Sequence, residues 1–245
     1  MLLSILKLVF VAVHTVVMAP VIVAVALVDE RTAYRVCLLW VRVNLAAFGV
    51  RVHASRETPL DPRRPYVFMS NHRSQFDILA VAMALEDFQL RWVAKKELLR
   101  VPAFGFALRH TGHIVIDRSD HEQAVASLRA ATEKMAGGIS VMIFPEGTRA
   151  RPEEELLPFK KGGFMLALET GFPIVPVVVR GSAELLPRDS WLARGGDIEV
   201  VVGAPIEVAD VERDVLMHRV ADFMREHLHH AAHVERASSI AAEAV

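Results

Sequence analysis

At 245 residues the chain is long enough to bury a full α/β core and carry extra elements. Apolar residues make up 53% of it, a share that points to membrane contact. Lys and Arg number 28 against 29 Asp and Glu, and a net charge of -1 gives no case for a nucleic-acid partner; the single cysteine, Cys37, excludes an internal disulfide and a cysteine-rich zinc site.

From position 8 to 28 there are 21 residues without a formal charge, long enough to span a bilayer as a helix. Pro20 predicts a kink or an end near Ala19, and Asp29-Glu30-Arg31 stops the run. A second apolar segment, 33–50, carries Arg35 and Arg42 on one helix face, the pattern of an interfacial or snorkelling helix, and its Cys37 is assigned to packing. Together the two segments predict a helix pair inserted in a membrane. Two other assignments compete for the first. Ala24-Val25-Ala26 resembles a signal-peptide cleavage site, but Lys7 is the only early basic side chain and the apolar run is long for an h-region. A buried core helix is the other, against which Pro20 and the length both argue.

Strands are expected at 50–54, 66–70, 89–94, 112–118, 140–144, 174–179 and 198–202. Between them lie helical patterns at 78–85, 98–110, 119–136 and a segment running to 168. Gly137-Gly138 and Gly171 serve as stops, and a break is expected around Pro102 and Gly105. The 98–110 segment fits the wall of a greasy binding site and a core helix equally well. The unbroken apolar run Ile174-Val175-Pro176-Val177-Val178-Val179 predicts a strand buried on both faces. About seven strands alternating with helices predict a mostly parallel or mixed α/β sheet flanked by helices. Residues 210–234 read as a charged helix. His229 and His233 are four apart on it but lack a carboxylate at a useful offset, so no metal site is expected. The division is then 1–50 for the membrane-anchoring helices, 51–236 for the α/β domain and 237–245 for a frayed tail.

One stretch organises the rest: Asn71-His72-Arg73-Ser74-Gln75-Phe76-Asp77, where a buried strand turns into a helix. Ser74 with Asp77 three residues on fits a capping box, which would start the helix at Ser74. Residues five apart on one continuous helix do not face each other. With His72 before the cap and Asp77 in the first turn, the two side chains can meet. The carboxylate would then fix the imidazole tautomer and leave the other ring nitrogen to take a proton. No nucleophile stands in the stretch, so that proton would come from a substrate hydroxyl or from water. The bland alternative is a surface histidine beside a capping aspartate.

His72, Lys95, Arg118, Glu146 and Arg149 all follow predicted strands, and in parallel α/β sheets ligands sit beyond the carboxyl ends of strands. The Arg and Lys set implies an anion such as a phosphate. Ion pairing of Lys95, Arg118 and Arg149 with Glu97, Asp117 and Glu146 is the competing reading.

Asn71–Asp77 resembles the HX4D motif of the glycerolipid acyltransferases. Residues 112–118 resemble that family's second motif, Phe144-Pro145-Glu146-Gly147-Thr148-Arg149 matches its FPEGTR motif, and Ile174-Val175-Pro176-Val177 resembles its fourth. Order and spacing agree over about positions 50–205. Within that family the chain is most similar to the bacterial form of the 1-acyl-sn-glycerol-3-phosphate class. The resemblance implies that His72 deprotonates the 2-hydroxyl of a lysophosphatidic acid while Asp77 orients it. The oxygen then attacks the thioester of acyl-CoA or acyl carrier protein. It implies a phosphate site made of Arg118, Glu146, Gly147, Thr148 and Arg149 with Lys95, and with Lys160 or Lys161 as alternatives. It implies an oxyanion donor near Asn71 or Gly147, no cofactor, no metal and no acyl-enzyme. It also implies a place on the cytoplasmic side of a bacterial inner membrane, in contact with membrane lipid. Rival readings are an acyltransferase for another lysolipid, a non-catalytic lipid-binding protein, and a thioesterase.

Overall fold

The computed structural model describes residues 2–116, 121–151 and 154–243. Two helices open the chain, α1 (Leu2–Ala26) and α2 (Glu30–Phe48). There follow β1 (Val50–Arg56), β2 (Val67–Ser70), α3 (Phe76–Ala84), β3 (Leu90–Lys95), a 3-10 turn (Lys96–Arg100), α4 (Phe104–His110) and β4 (Ile114–Ile116). The second half holds α5 (His121–Ala136), β5 (Ser140–Ile143), α6 (Gly162–Thr170), β6 (Ile174–Arg180), α7 (Ser182–Leu185), β7 (Gly196–Val202) and α8 (Arg213–Glu243).

The strands form one seven-stranded sheet in the order β1-β7-β6-β2-β5-β3-β4. Every pairing is parallel except that of β6 with β7. The expected mixed sheet with flanking helices is therefore present. β2 shows why it is buried on both faces: Phe68 points into one apolar cluster, Val67 and Met69 into the other. β6 does the same, with Val175, Val177 and Val179 on one side and Ile174 and Val178 on the other. Pro176 is tolerated inside this strand because the ladder to β7 begins one residue later, at Val177. The α2 and α3 helices cover the first face; α5, α6 and α8 cover the second.

Several local expectations shift by a turn or less, and a few are corrected. α1 runs through Pro20 without ending, because Ile22 and Val23 beyond it are buried against the fold and hold the second half in line. The break near 102 falls at 101–103, and Gly105 lies inside α4. A Cβ at Gly105 would come within 2.4 Å of the Leu99 carbonyl oxygen, so glycine lets the helix fold back on the preceding turn. Gly171 ends α6 in the left-handed conformation, φ 69°, as its stop role predicts. α8 continues to Glu243, past the boundary expected at 236.

The two N-terminal helices differ in kind. Residues Ser4–Ala26 have a mean hydropathy of 2.6 with 17% of the span buried, and among the described residues this is the one helix long and apolar enough to cross a membrane. Ile5, Leu6, Val9, Val13, Val16 and Val17 face outward. α2 instead buries Tyr34, Leu38, Val41, Leu45 and Phe48 in the core of the α/β domain. Its exposed Arg42 pairs with Glu86. The second helix is thus part of the domain wall, with its apolar stripe spent on the core.

Candidate active site

β2 delivers the key turn. Asn71, buried, locks its side-chain amide onto β6: Nδ2–H donates to the Val179 carbonyl at 2.9 Å, and Oδ1 accepts the Val179 N–H at 2.8 Å. The chain then reverses into α3. Asp77 Oδ2 accepts the Ser74 N–H at 2.7 Å, but Ser74 Oγ accepts the Phe76 N–H at 3.2 Å in place of that of Asp77, so only half of the expected capping box forms, and the regular helix begins at Phe76.

His72 Nδ1 lies 2.8 Å from Asp77 Oδ2. The carboxylate is completely buried and the imidazole side chain is 13% exposed. Asp77 Oδ2 also accepts the Arg73 N–H at 2.6 Å, and Oδ1 accepts the Ser182 hydroxyl. A carboxylate that is ionised only accepts, so Nδ1–H is the donor in this pair, and in the neutral imidazole that leaves the lone pair on Nε2. Phe144 stacks on the imidazole with centroids 3.9 Å apart and planes at 13°. The ring is therefore held on its edge by a carboxylate and on its face by an aromatic.

The turn after β5 braces the one after β2. Glu146 is 2% exposed, and its two oxygens accept the N–H of His72 and of Leu157, each at 2.8 Å. The Ala150 N–H returns a bond to the His72 carbonyl at 2.7 Å. Burial pushes the Glu146 carboxyl up to about 7, against the opposing pull of those two amides. Glu146 was expected at the phosphate. Its two oxygens hold backbone amides behind the histidine, and Glu146 is not among the residues that line the cavity at His72. Gly147 takes φ 74°, and its N–H donates to the Phe144 carbonyl at 3.0 Å, closing the turn.

His72 lines a cavity of about 390 Å³. Its lining also includes Lys95, Gly147, Thr148, Arg149 and Arg188. Cations and imidazole thus share one space at the carboxyl ends of β2, β3 and β5, as the strand-end rule predicts. Arg188 Nη1–H donates to the Arg149 carbonyl. Lys160 and Lys161 do not line the cavity; the Lys160 N–H holds the Pro145 carbonyl at 2.7 Å. Arg118 lies outside the described residues.

Away from the imidazole the walls are apolar. Ala19 and Ile22 of α1, Leu38 and Val41 of α2, Leu79 of α3, and Phe104 and Leu108 of α4 all contribute. Leu98, Phe104, Ala107 and Leu108 of the 98–110 segment line this cavity, and the N-terminal helices line it too. Arg91, buried and bonded to Glu30 at 2.8 Å, adds a charged pair to the lining. Cys37 also lines it, its thiol pushed up to about 11 by burial.

Among the described residues no group of three or more His, Cys, Asp or Glu could hold a metal ion. His227 and His229 of α8 sit against different carboxylates, Glu57 at 3.4 Å and Glu155 at 2.7 Å. Ser182 and Arg188 were not singled out from the sequence. Ser182 follows β6 by two residues, so the strand-end rule that flagged His72 would have reached it. Arg188 lies in a loop with no comparable signal.

The profile of the family described as Acyltransferase matches residues 49–180. A chloroplastic 1-acyl-sn-glycerol-3-phosphate acyltransferase of Brassica napus is 30% identical over 189 residues, covering 76% of this chain and 54% of that protein. A 1-acyl-sn-glycerol-3-phosphate acyltransferase of Helicobacter pylori is 39% identical over 127 residues, 51% of this chain and 53% of its own length. The chain spans about half the length of these curated relatives. The crystal structure of the 1-acyl-sn-glycerophosphate acyltransferase PlsC from Thermotoga maritima superposes with a TM-score of 0.79 over 94% of this chain and 95% of that one. At 22% identity that likeness is one of fold.

Proposed function

The chain belongs to the Acyltransferase family, and from that premise we propose that it transfers an acyl chain to the 2-hydroxyl of 1-acyl-sn-glycerol 3-phosphate, giving phosphatidic acid. The donor is the thioester of acyl-CoA or acyl carrier protein. The observation that carries this reading is the His72–Asp77 pair at a cavity whose lining combines His72 with cations and apolar side chains.

His72 Nε2 takes the proton of the 2-hydroxyl as that oxygen attacks the thioester carbonyl. Asp77 holds the ring and stabilises the imidazolium that forms. The tetrahedral intermediate collapses with cleavage of the carbon–sulfur bond, and the imidazolium returns its proton to the departing thiolate. Arg149, Lys95 and Thr148 hold the acceptor phosphate, joined by Arg188 and, on the sequence motif alone, by Arg118. The apolar walls take a lipid tail. No step in this scheme passes through a cofactor. α1 fixes the enzyme to a bacterial inner membrane, and the α/β domain lies on the cytoplasmic side, where the thioester donors are made.

Purified full-length protein incubated with labelled oleoyl-CoA and a panel of lysolipids tests the reading. Labelled phosphatidic acid is expected with lysophosphatidic acid. Acylation confined to a different lysolipid, or release of free oleate only, would displace it in favour of another acceptor or a thioesterase.

A further inference from the structure

The bonding around Asp77 is lopsided. Oδ2 takes three donors: His72 Nδ1–H, the Arg73 N–H and the Ser74 N–H. Oδ1 takes the Ser182 hydroxyl. The carboxylate is completely buried and Ser182 is 2% exposed, so no bulk water stands ready to replace that hydroxyl.

Ser182 is brought there by a turn that requires a glycine. β6 ends at Arg180, and Gly181 takes φ 81°. A Cβ at Gly181 would stand 2.7 Å from the Asp197 carbonyl oxygen, so glycine is needed both for the angle and for the space. The turn points the next side chain back under the β2–α3 connection. Two other contacts hold the same segment without the Ser182 hydroxyl: the Asn71 amide on Val179 before it, and the Ser74 Oγ–H donated to the Leu186 carbonyl at 2.8 Å after it. The backbone position of Ser182 is therefore secured independently of the bond it makes to Asp77.

We infer that Ser182 is a positioning residue for the transfer reaction, its hydroxyl pinning Asp77 Oδ1 so that Oδ2 stays aimed at His72 Nδ1. The inference rests on the acyl transfer proposed above. With one oxygen held by Ser182, the carboxylate cannot exchange its two oxygens by rotating about its Cβ–Cγ bond without breaking a buried bond. Without it, Oδ1 is left bare in a dry site, and only the three bonds to Oδ2 are left to hold the angle of the carboxylate. That loosens the one acceptor that sets the imidazole tautomer. The consequence falls on proton transfer, not on substrate capture, since Ser182 does not line the cavity.

The test uses the full chain in vesicles with oleoyl-CoA and lysophosphatidic acid, and circular dichroism to follow folding. Ser182→Ala should lower kcat by about tenfold or more, a fraction of the ~10²–10⁴ that general-base catalysis supplies, and leave both KM values within about twofold. Ser182→Thr, which keeps the hydroxyl, should restore most of the rate. In an Asp77→Asn background, Ser182→Ala should cost little more, because the serine acts through the carboxylate. A wild-type kcat in Ser182→Ala overturns the inference. So does a rise in KM at constant kcat, or an undiminished loss in the Asp77→Asn background. If Ser182→Ala does not fold, Ser182→Cys, of similar size but with a weak donor, takes its place in the same comparisons. A wild-type enzyme inactive on lysophosphatidic acid would instead sink the proposed function, a separate outcome.

Discussion

The main-chain N–H of His72 donates to the buried carboxylate of Glu146 at 2.8 Å, although 74 positions separate them in sequence. This bond joins the turn after β2 to the turn after β5. With the Ala150 N–H bonded back to the His72 carbonyl, it makes the position of the base depend on the second loop. Both peptide groups flanking the histidine are thereby fixed, and the imidazole inherits that order before its own bond to Asp77 is counted.

Glu146→Ala should therefore destabilise the fold and slow transfer together, because it strands two buried amides at ~1–3 kcal/mol each. The pH dependence has a definite sign. The folded carboxyl lies at about 7, above its ordinary 4.5, so between those values the native state holds a proton that the unfolded state has released. This group's contribution makes stability fall as pH rises from about 4.5 to 7, by at most about 3 kcal/mol. Thermal melts of wild type and Glu146→Gln across that range check it; an unchanged slope in the variant would clear Glu146 of the effect.

His72→Ala should abolish transfer, by ~10²–10⁴-fold, while the protein stays folded and membrane-bound. The residue is only partly buried and its main-chain bonds survive the change. Product formation at near wild-type rate would count decisively against the base.

Arg149→Ala should raise the apparent KM for lysophosphatidic acid by roughly 10–100-fold, the worth of a charge-assisted hydrogen bond of ~1.5–3 kcal/mol, with a smaller change in kcat. Arg149 lines the same cavity as His72, and its carbonyl is tethered by Arg188. Acceptor titrations that superpose on wild type would remove Arg149 from the phosphate site.

Deletions should separate the two N-terminal helices. Removing residues 2–28 should release the protein from vesicles, since α1 carries the outward apolar face. Removing residues 2–50 should unfold the domain as well, because Tyr34, Leu38, Val41, Leu45 and Phe48 leave the core. Five large side chains at roughly 1.5–3 kcal/mol each together match the whole stability of an ordinary domain. Vesicle sedimentation and circular dichroism read the two outcomes; a protein lacking 2–28 that still pelleted with vesicles would defeat the anchor.

By itself the sequence determined the α/β class, the strand positions within a few residues, the long apolar first helix and the His72–Asp77 pair. Each of these is local: apolar periodicity, glycine stops and the short reach across a strand-to-helix turn act within a few residues. Only the tertiary structure decided that Glu146 braces the histidine, that α2 belongs to the core, that α1 and α4 wall one cavity, and that Ser182 reaches Asp77 from 105 positions away. The reason is that a buried carboxylate takes whichever donors the sheet order brings to it. Strand order β6-β2-β5 places the turns after those three strands side by side, a fact that no stretch of residues carries alone.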